Sequence, residues 1–174
     1  MRKYKILGVS MGWEERKGLD VFLQLHEKLK EDFQIILVGT DEKVNTILPK
    51  DIVSIPKTNN QIELSKLYSE ADLVVNPSRE DNYPTVNIEA NCCGTAVIGF
   101  DIGGVAETIF EGMGQVVPLN DIDEMIFAIH KWKCIKISEK TIRKCREHNS
   151  NKRMVEEYTS LYKRIVGMDN ENKN

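Results

Sequence analysis

The sequence predicts an α/β protein built on a doubly wound parallel sheet of about six strands. Six short apolar runs lack polar alternation, which is typical of strands buried on both faces of a sheet. Segments with apolar residues at helical spacing lie between most of these runs, and such alternation favours parallel strands joined by helices. With 174 residues, the chain is long enough to bury a sizeable core within one domain.

Glycine and proline mark the ends of the predicted strands. Gly39 closes the second apolar run, and Pro77 closes the fourth, because proline cannot donate a hydrogen bond to a neighbouring strand. The six predicted strands are residues 5–10, 33–39, 51–55, 72–77, 95–100 and 114–118.

Helices are predicted where apolar residues recur every three or four positions. Pro84 suits the first turn of a helix and Gly94 suits the position just past its end, so these two residues bound one helix. Residues 1–166 are expected to form one domain, followed by a disordered tail over 167–174. The predicted helices are residues 19–29, 62–68, 84–94, 121–132 and 138–166, the last with a break near 149–151.

The composition argues against several classes of protein. Hydrophobic residues make up 41%, charged residues 29% and the net charge is −3, which excludes a disordered chain and argues against a nucleic-acid partner. No apolar run approaches the roughly 18 residues of a membrane span, and the N-terminus lacks a signal-peptide core. The four cysteines lack metal-ligand spacing, and Cys92 and Cys93 are expected to be small buried residues in a reducing compartment. We therefore expect a cytoplasmic protein without a metal site.

The charge is unevenly distributed along the chain. Residues 1–130 hold 12 basic and 21 acidic residues, a net charge of −9, whereas residues 131–164 hold 11 and 4, a net charge of +7. A basic C-terminal segment would suit peripheral contact with an anionic surface, such as the inner face of the plasma membrane, or with an acidic domain. Solvated faces of surface helices explain the same bias, so both interpretations stay open.

The loop after the first strand is a candidate anion site, because ligands of such sheets lie beyond the carboxyl ends of the strands. Gly12 permits a tight turn, and Lys17 with Gly18 stands at a helix start, where free amides and the helix dipole favour an anion. Lys17 would add a point charge for a phosphate. A surface lysine is the alternative, since neither the dinucleotide motif nor a P-loop is present.

The loop after the fourth strand contains three carboxylates within ten residues, those of Glu80, Asp81 and Glu89. The backbone amides of Thr85 and Val86 are expected to be unpaired donors in the first turn of a helix, which suits a diphosphate. Carboxylates beside them can accept hydrogen bonds from sugar hydroxyls. The alternative is that these acidic residues only neutralise the helix dipole.

The loop after the fifth strand carries the adjacent glycines Gly103 and Gly104. Glycine permits a positive φ or a close approach between the backbone and a ligand. A simple turn would need the same residue type, so this loop alone does not establish a ligand site.

As a set, these motifs resemble the donor-binding half of the group 1 glycosyltransferases, family 4, which are retaining enzymes with the GT-B fold. The resemblance covers about residues 4–132, and it is the combination of motifs that is specific. It implies that the sheet is the Rossmann-like C-terminal half of a GT-B fold. The motifs are Lys17-Gly18, Glu80-Asp81-Asn82, Glu89-Ala90, Gly94-Thr95-Ala96-Val97 and Gly103-Gly104-x-x-Glu107.

The resemblance implies roles for individual residues. Lys17 would bind the donor diphosphate, and Glu89 would accept hydrogen bonds from the ribose hydroxyls. Either Glu80 or Asp81 would contact the donor sugar, which completes the candidate catalytic set. Arg16 is the candidate for a phosphate contact that many members make with an arginine elsewhere in this loop. Three further groups would line the donor site: Pro56, Lys57 and Thr58 at the base; Asn82, Tyr83, Pro84, Thr85 and Val86 at the sugar and phosphates; and the glycines Gly12, Gly103 and Gly104 at the turns.

The implied reaction transfers a sugar from a UDP- or GDP-linked donor to an acceptor hydroxyl with retention of configuration. The Glu-Asp-Asn variant is similar to enzymes of bacterial surface or capsular polysaccharide synthesis. No cofactor is implied, because Lys17 and helix dipoles can stabilise the leaving diphosphate. The N-terminal acceptor-binding half is missing, so this chain alone is expected to transfer no sugar. The alternatives are a non-enzymatic nucleotide- or phosphate-binding flavodoxin-like domain and one half of a nucleotide-sugar epimerase.

Overall fold

Six parallel strands form one sheet in the computed structural model, which describes residues 2–29 and 31–167. The strands are β1 (Tyr4–Val9), β2 (Phe33–Val38), β3 (Val53–Ile55), β4 (Leu73–Asn76), β5 (Ala96–Phe100) and β6 (Gly114–Val117). Their order across the sheet is β3-β2-β1-β4-β5-β6, and every neighbouring pair is parallel. The predicted fold class is confirmed, and each predicted strand is found within two residues of its expected ends.

Eight α-helices lie within the described residues: α1 (Leu19–Lys28), α2 (Glu42–Ile47), α3 (Gln61–Glu70), α4 (Thr85–Cys92), α5 (Val105–Thr108), α6 (Ile122–Lys133), α7 (Glu139–His148) and α8 (Asn151–Ile165). The predicted break in the last helical segment is confirmed, because Ser150 caps α8 by accepting a hydrogen bond from the Arg153 amide. The sequence pattern missed α2, α5 and a 3₁₀ turn over Glu15–Lys17. These elements span six residues or fewer, which is too short for a helical period to be visible.

Two apolar layers enclose the sheet. Ile6 of β1 lies in the layer that contains Phe22 of α1 and Ile129 of α6. Its neighbour Leu7 lies in the opposite layer with Tyr68 of α3. All five side chains are almost completely buried. Because both faces of the strands are covered, the strands carry no polar alternation, which is the pattern that the sequence displays.

The strand order reverses direction at β1. Ile6 pairs with Ile35 of β2 on one side and with Leu73 of β4 on the other. The helix that follows β1 packs in one apolar layer, whereas the helix that follows β4 packs in the other, as the burial of Phe22 and Ala90 shows. The loops after β1 and β4 therefore diverge and leave a crevice at the carboxyl edge of the sheet.

Cys92 and Cys93 are less buried than the sequence suggested. Cys145 is fully buried, but Cys92 and Cys93 are only half-buried, because they lie at the end of α4 where α7 covers them in part. The Sγ atoms of Cys92 and Cys145 are 3.9 Å apart, and the Arg146 Nε donates a hydrogen bond to the Cys92 carbonyl. A hydrogen bond from the Cys145 thiol, aided by the charge of Arg146, lowers the pKa of Cys92 to about 7.

The last helix, α8, has no buried residue. It exposes an apolar stripe that includes Met154, Tyr158, Tyr162 and Ile165, next to exposed basic side chains. Every helix among residues 2–29 and 31–167 is too short or too polar to cross a bilayer. Apart from Gly167, the segment predicted to be a disordered tail lies outside the described residues.

Gly39→Ala should destabilise the fold by about 3 kcal/mol or more. Gly39 has a φ of 87°, and a Cβ at this position would overlap the backbone carbonyl of Ser10. Gly12→Ala is the matched control, because a Cβ there meets nothing within 4 Å. Urea unfolding measures both variants. Equal midpoints for the two would contradict the close approach of the loops after β1 and β2.

Candidate functional site

A cleft of about 440 Å³ opens between the carboxyl ends of β1 and β4, at the point where the strand order reverses. We refer to it as the switch cleft. It brings together predicted residues from the loops after β1 and β4. Its lining consists of Val9, Ser10, Met11, Gly12, Trp13, Glu14, Arg16, Lys17, Val75, Asn76, Pro77, Ser78, Asp81, Tyr83, Pro84, Thr85 and Val86.

The loop after β1 is fixed against its surroundings at both ends. The Trp13 indole is buried, donates a hydrogen bond from Nε1 to the Val38 carbonyl at 3.1 Å, and packs edge-on against Phe22. Gly18 has a φ of 75°, and a Cβ there would overlap the backbone of Pro77. Glycine is therefore required at position 18 so that the start of α1 can pack against the end of β4.

Lys17 forms an ion pair across the cleft. Its Nζ lies 2.9 Å from Oδ2 of Asp81, and both side chains are about one-fifth exposed, at 23% and 19%. The partly buried ammonium and carboxylate thus neutralise each other between the loops after β1 and β4. An anionic ligand entering the cleft would compete with Asp81 for Lys17.

Arg79 connects three segments around the site. Its guanidinium forms a two-pronged ion pair with Asp20 at 2.8 and 2.7 Å, and Nη1 also donates to the Glu15 carbonyl at 2.6 Å. Its Nε donates to Oδ1 of Asn120 at 2.7 Å. Hydrogen bonds from Arg79 hold the pKa of the Asp20 carboxyl below its ordinary value, and Asp20 in turn raises the pKa of Arg79.

The N-terminus of α4 points unpaired donors at the cleft. Pro84 precedes the helix and provides no side-chain cap. Among the described residues, the backbone amides of Thr85 and Val86 have no hydrogen-bond acceptor. The predicted first-turn donors are therefore present, and they lie on the same cleft as Lys17.

A buried polar chain orients this helix start. The Asn76 side chain donates to Oδ1 of Asn87 at 3.0 Å, and the Asn87 side chain donates to the Thr108 hydroxyl at 2.9 Å. Asn76 ends β4, Asn87 lies in the first turn of α4, and Thr108 lies in α5; all three are buried. Removing one partner would leave a buried polar group unpaired, so the chain fixes α4 relative to the sheet.

A second, more open cleft of about 800 Å³ adjoins the first and shares Arg16, Lys17, Asp81 and Tyr83 with it. We refer to it as the side cleft. The residues that line the side cleft but not the switch cleft are Arg79, Glu80, Asn82, Ile102 and Gly103.

The two adjacent glycines after β5 lie close to the backbone of the loop after β4. A Cβ at Gly103 would overlap the carbonyl of Asp81, and a Cβ at Gly104 would overlap the carbonyl of Asn82. Gly103 also has a φ of 47°. From the sequence, either a simple turn or a contact with a ligand could explain these two glycines. In the structure, both are explained by the close packing of this loop on the loop after β4.

The predicted ribose and base contacts lie away from both clefts. Glu89 is exposed, and its Oε2 accepts a hydrogen bond from the Tyr68 hydroxyl at 3.0 Å. Burial of Tyr68 and the adjacent Glu89 charge raise the pKa of the Tyr68 phenol. Pro56, Lys57 and Thr58 follow the edge strand β3, two strands away from β1, and they line neither cleft. Gly104 also lines neither.

Several residues that shape the site were not singled out from the sequence, namely Trp13, Asn76, Arg79, Asn87 and Asn120. Asn76 precedes Pro77 at the end of an apolar strand. A polar residue in such a buried run indicates a side chain that is hydrogen-bonded inside the protein, so the sequence could have identified Asn76. No local sequence pattern indicates the role of Arg79, because its partner Asp20 lies 59 positions earlier in the chain. Within the described residues, no three His, Cys, Asp or Glu side chains form a group that could hold a metal ion.

Comparison with known proteins decides the family. The family model described as "Glycosyl transferases group 1" matches residues 3–132. The chain belongs to the group 1 glycosyl transferases. The match covers about the same residues as the resemblance noted from the motifs, and it favours this family over the flavodoxin-like and epimerase alternatives.

The relatives of this glycosyl transferase chain are longer than the chain itself. An uncharacterized 41.2 kDa protein of the cps region of Klebsiella pneumoniae is 28% identical, and the alignment covers 94% of this chain and 48% of that protein. Sucrose-phosphate synthase from Thermosynechococcus elongatus superposes with a TM-score of 0.77 at 22% identity, covering 95% of this chain and 46% of that one. Anabaena HepE in complex with UDP-glucose gives a TM-score of 0.73 at 18% identity, with coverages of 91% and 49%. The chain thus spans about half the length of these proteins, and the two structures support its fold.

Asp20→Asn should destabilise this glycosyl transferase chain by about 1 kcal/mol at pH 7, a value that allows for solvent screening of a half-exposed ion pair. Because Arg79 lowers the pKa of Asp20 in the folded state, the ionised carboxylate stabilises the fold above the ordinary pKa of 3.8. That contribution begins to fall near the ordinary pKa and is lost as the pH drops through the lowered pKa, so the difference between the two proteins should shrink from about pH 4 downwards.

Urea unfolding between pH 3 and pH 8 measures this difference. Asp101→Asn is the matched control, because Asp101 is exposed and forms no ion pair with a described residue. A stability difference between wild type and Asp20→Asn that does not change with pH would contradict the assigned role of the ion pair.

Proposed function

We propose that this chain is the donor-binding part of a retaining glycosyltransferase that takes a sugar from a nucleoside diphosphate. One observation carries the proposal: Lys17 and the unpaired amides of Thr85 and Val86 line the same cleft at the switch point of the sheet. An ammonium group and free helix N-terminal amides are complementary to a diphosphate. Membership of the group 1 glycosyl transferases supports a glycosyl donor as the molecule that carries this diphosphate.

The proposed binding step exchanges the partners of Lys17. In the structure, the Lys17 ammonium forms an ion pair with the Asp81 carboxylate, with 2.9 Å between Nζ and Oδ2. A donor diphosphate would take over this ammonium, which frees the Asp81 carboxylate to accept hydrogen bonds from hydroxyls of the attached sugar. Asp81 is favoured over Glu80 for this role, because Asp81 lines both clefts whereas Glu80 is exposed and lines only the side cleft.

The proposed transfer breaks the bond between the anomeric carbon and the diphosphate oxygen. The diphosphate leaves with the bonding electron pair, and the negative charge it gains is stabilised by Lys17 and the amides of α4, with Arg16 at the cleft edge. The acceptor oxygen forms the new bond to the anomeric carbon, and its proton passes to the oxygen of the departing diphosphate. We propose that this charge stabilisation needs no cofactor or metal.

The nucleoside would extend from the diphosphate along α4. Glu89 stands four residues after Thr85, so the two share one side of the helix. The Tyr68 hydroxyl fixes one oxygen of Glu89 and leaves the other available for a ribose hydroxyl. The base would reach the segment of Pro56, Lys57 and Thr58. The complex of Anabaena HepE with UDP-glucose supports a uridine donor, with GDP as the alternative.

We propose a role in bacterial surface or capsular polysaccharide synthesis, which the relative from a cps region supports. The acceptor would bind to a second half that these residues do not include, so the chain by itself would hold a donor and transfer no sugar.

The free thiols of Cys92 and Cys145 suit a reducing cytoplasm. Peripheral contact with the inner face of the plasma membrane stays a prediction, which the exposed basic and apolar side chains of α8 support.

Lys17→Ala should weaken UDP or GDP binding at least about tenfold, because charge-assisted hydrogen bonds contribute about 1.5–3 kcal/mol each. Isothermal titration calorimetry measures the change, and competition with inorganic pyrophosphate should show the same loss. Lys43→Ala is the control, since Lys43 is exposed on α2 and lines neither cleft. Failure of the wild type to bind either nucleotide at millimolar concentration would overturn the proposed function.

Glu89→Gln should weaken UDP binding about tenfold and leave pyrophosphate binding unchanged, because the carboxylate is assigned to the ribose. The substitution keeps an oxygen that can accept the Tyr68 hydrogen bond, so the fold should persist. Glu111→Gln, at an exposed position, is the matched control. If Glu89→Gln weakens UDP and pyrophosphate equally, or neither, then Glu89 does not bind the ribose.

A further inference from the structure

The 3₁₀ turn that carries Lys17 has little to hold it in place by itself. It spans only Glu15–Lys17, contains no buried residue, and is closed by the hydrogen bonds from the Lys17 amide to the Glu14 carbonyl and from the Gly18 amide to the Glu15 carbonyl. Turns of this kind have poor hydrogen-bond geometry. The direction of the Lys17 side chain therefore depends on contacts from outside the turn.

Arg79 supplies such contacts from the loop after β4. Its backbone amide donates to the Arg16 carbonyl at 2.8 Å, and its Nη1 donates to the Glu15 carbonyl at 2.6 Å. Two successive carbonyls of the turn are thus bound by one residue. Because the backbone bond persists in any Arg79 variant that folds, the side chain is the part that mutagenesis can test.

The guanidinium is itself fixed on two further sides. Asp20 in the first turn of α1 accepts from both terminal nitrogens, and Asn120, before α6, accepts from Nε. Each nitrogen of the guanidinium donates to a protein acceptor. The planar fork of arginine can make these contacts together, whereas a lysine ammonium cannot match their directions.

We propose that Arg79 is the positioning residue for Lys17, a role that rests on the proposed function of Lys17 in binding the donor diphosphate. Arg79 lines the side cleft but not the switch cleft, and its guanidinium nitrogens donate to protein oxygens, so its effect on a diphosphate in the switch cleft passes through the turn. The mutual pKa shifts of Arg79 and Asp20 agree with an ion pair that stays charged at neutral pH.

A double-mutant cycle with UDP as the probe tests this role by calorimetry. Arg79→Met should weaken UDP binding about tenfold in the wild-type background. In the Lys17→Ala background it should change binding by less than about twofold, because no positioned ammonium remains to be lost. Arg79→Lys should behave like Arg79→Met, since it keeps the charge and loses the fork. Arg143→Met, on the exposed side of α7, is the control.

Additive losses in the cycle would overturn the proposal, because they would mean that Arg79 acts on UDP independently of Lys17. Full binding by Arg79→Lys would overturn it too, since charge alone would then suffice. If Arg79→Met does not fold, Asp20→Asn replaces it in the cycle, because it removes the anchor of the guanidinium and keeps Arg79.

A measurement without ligand separates this proposal from the proposed function. Amide hydrogen exchange at Lys17 and Gly18 should accelerate at least tenfold in Arg79→Met, while exchange in β1 and β4 stays as in the wild type. If the wild type binds neither UDP nor GDP, the proposed function fails and the exchange rates still decide whether Arg79 fixes the turn. Unchanged exchange at Lys17 and Gly18 would overturn the positioning role.

Discussion

β1 lies at the centre of the sheet, and the chain leaves it on one side for β2 and returns on the other at β4. The helices that follow β1 and β4 must cover opposite faces, so their first turns cannot close over each other. This steric constraint creates the crevice, and Gly18 packs closely on Pro77, which lines it. The positions of Lys17, Asp81 and the free amides of α4 all follow from it.

Much of the fold and part of the site could be predicted because their causes are local in sequence. The strands appear as uninterrupted apolar runs since both faces of the sheet are covered, and the first turn of α4 follows from Pro84. The short helices α2 and α5 escaped prediction because six residues or fewer are too short to show a helical period. The ion pair of Arg79 with Asp20 escaped it because only the folded topology brings those residues together.

The ion pair between Lys17 and Asp81 in the switch cleft could not be predicted from the sequence either. The motifs suggested separate roles for Lys17 and Asp81, but their pairing at 2.9 Å depends on how two loops pack. A partly buried charge without a partner would be costly, so the pair keeps the cleft near neutrality before any ligand arrives. Away from the cleft, the Tyr68 hydroxyl donates a hydrogen bond to the exposed Glu89 carboxylate without neutralising its charge.

The contact of Gly103 and Gly104 with the carbonyls of Asp81 and Asn82 ties two loops of the sheet together through their backbones. Side-chain contacts can be rebuilt by substitution, but a backbone contact survives only while both loops keep their length and path. An insertion in either loop would have to be matched in the other during evolution. Divergence of this site is therefore expected to proceed by exchanging side chains on a conserved pair of loops, and new specificities would arise from point changes at residues such as Tyr83 rather than from new loop shapes.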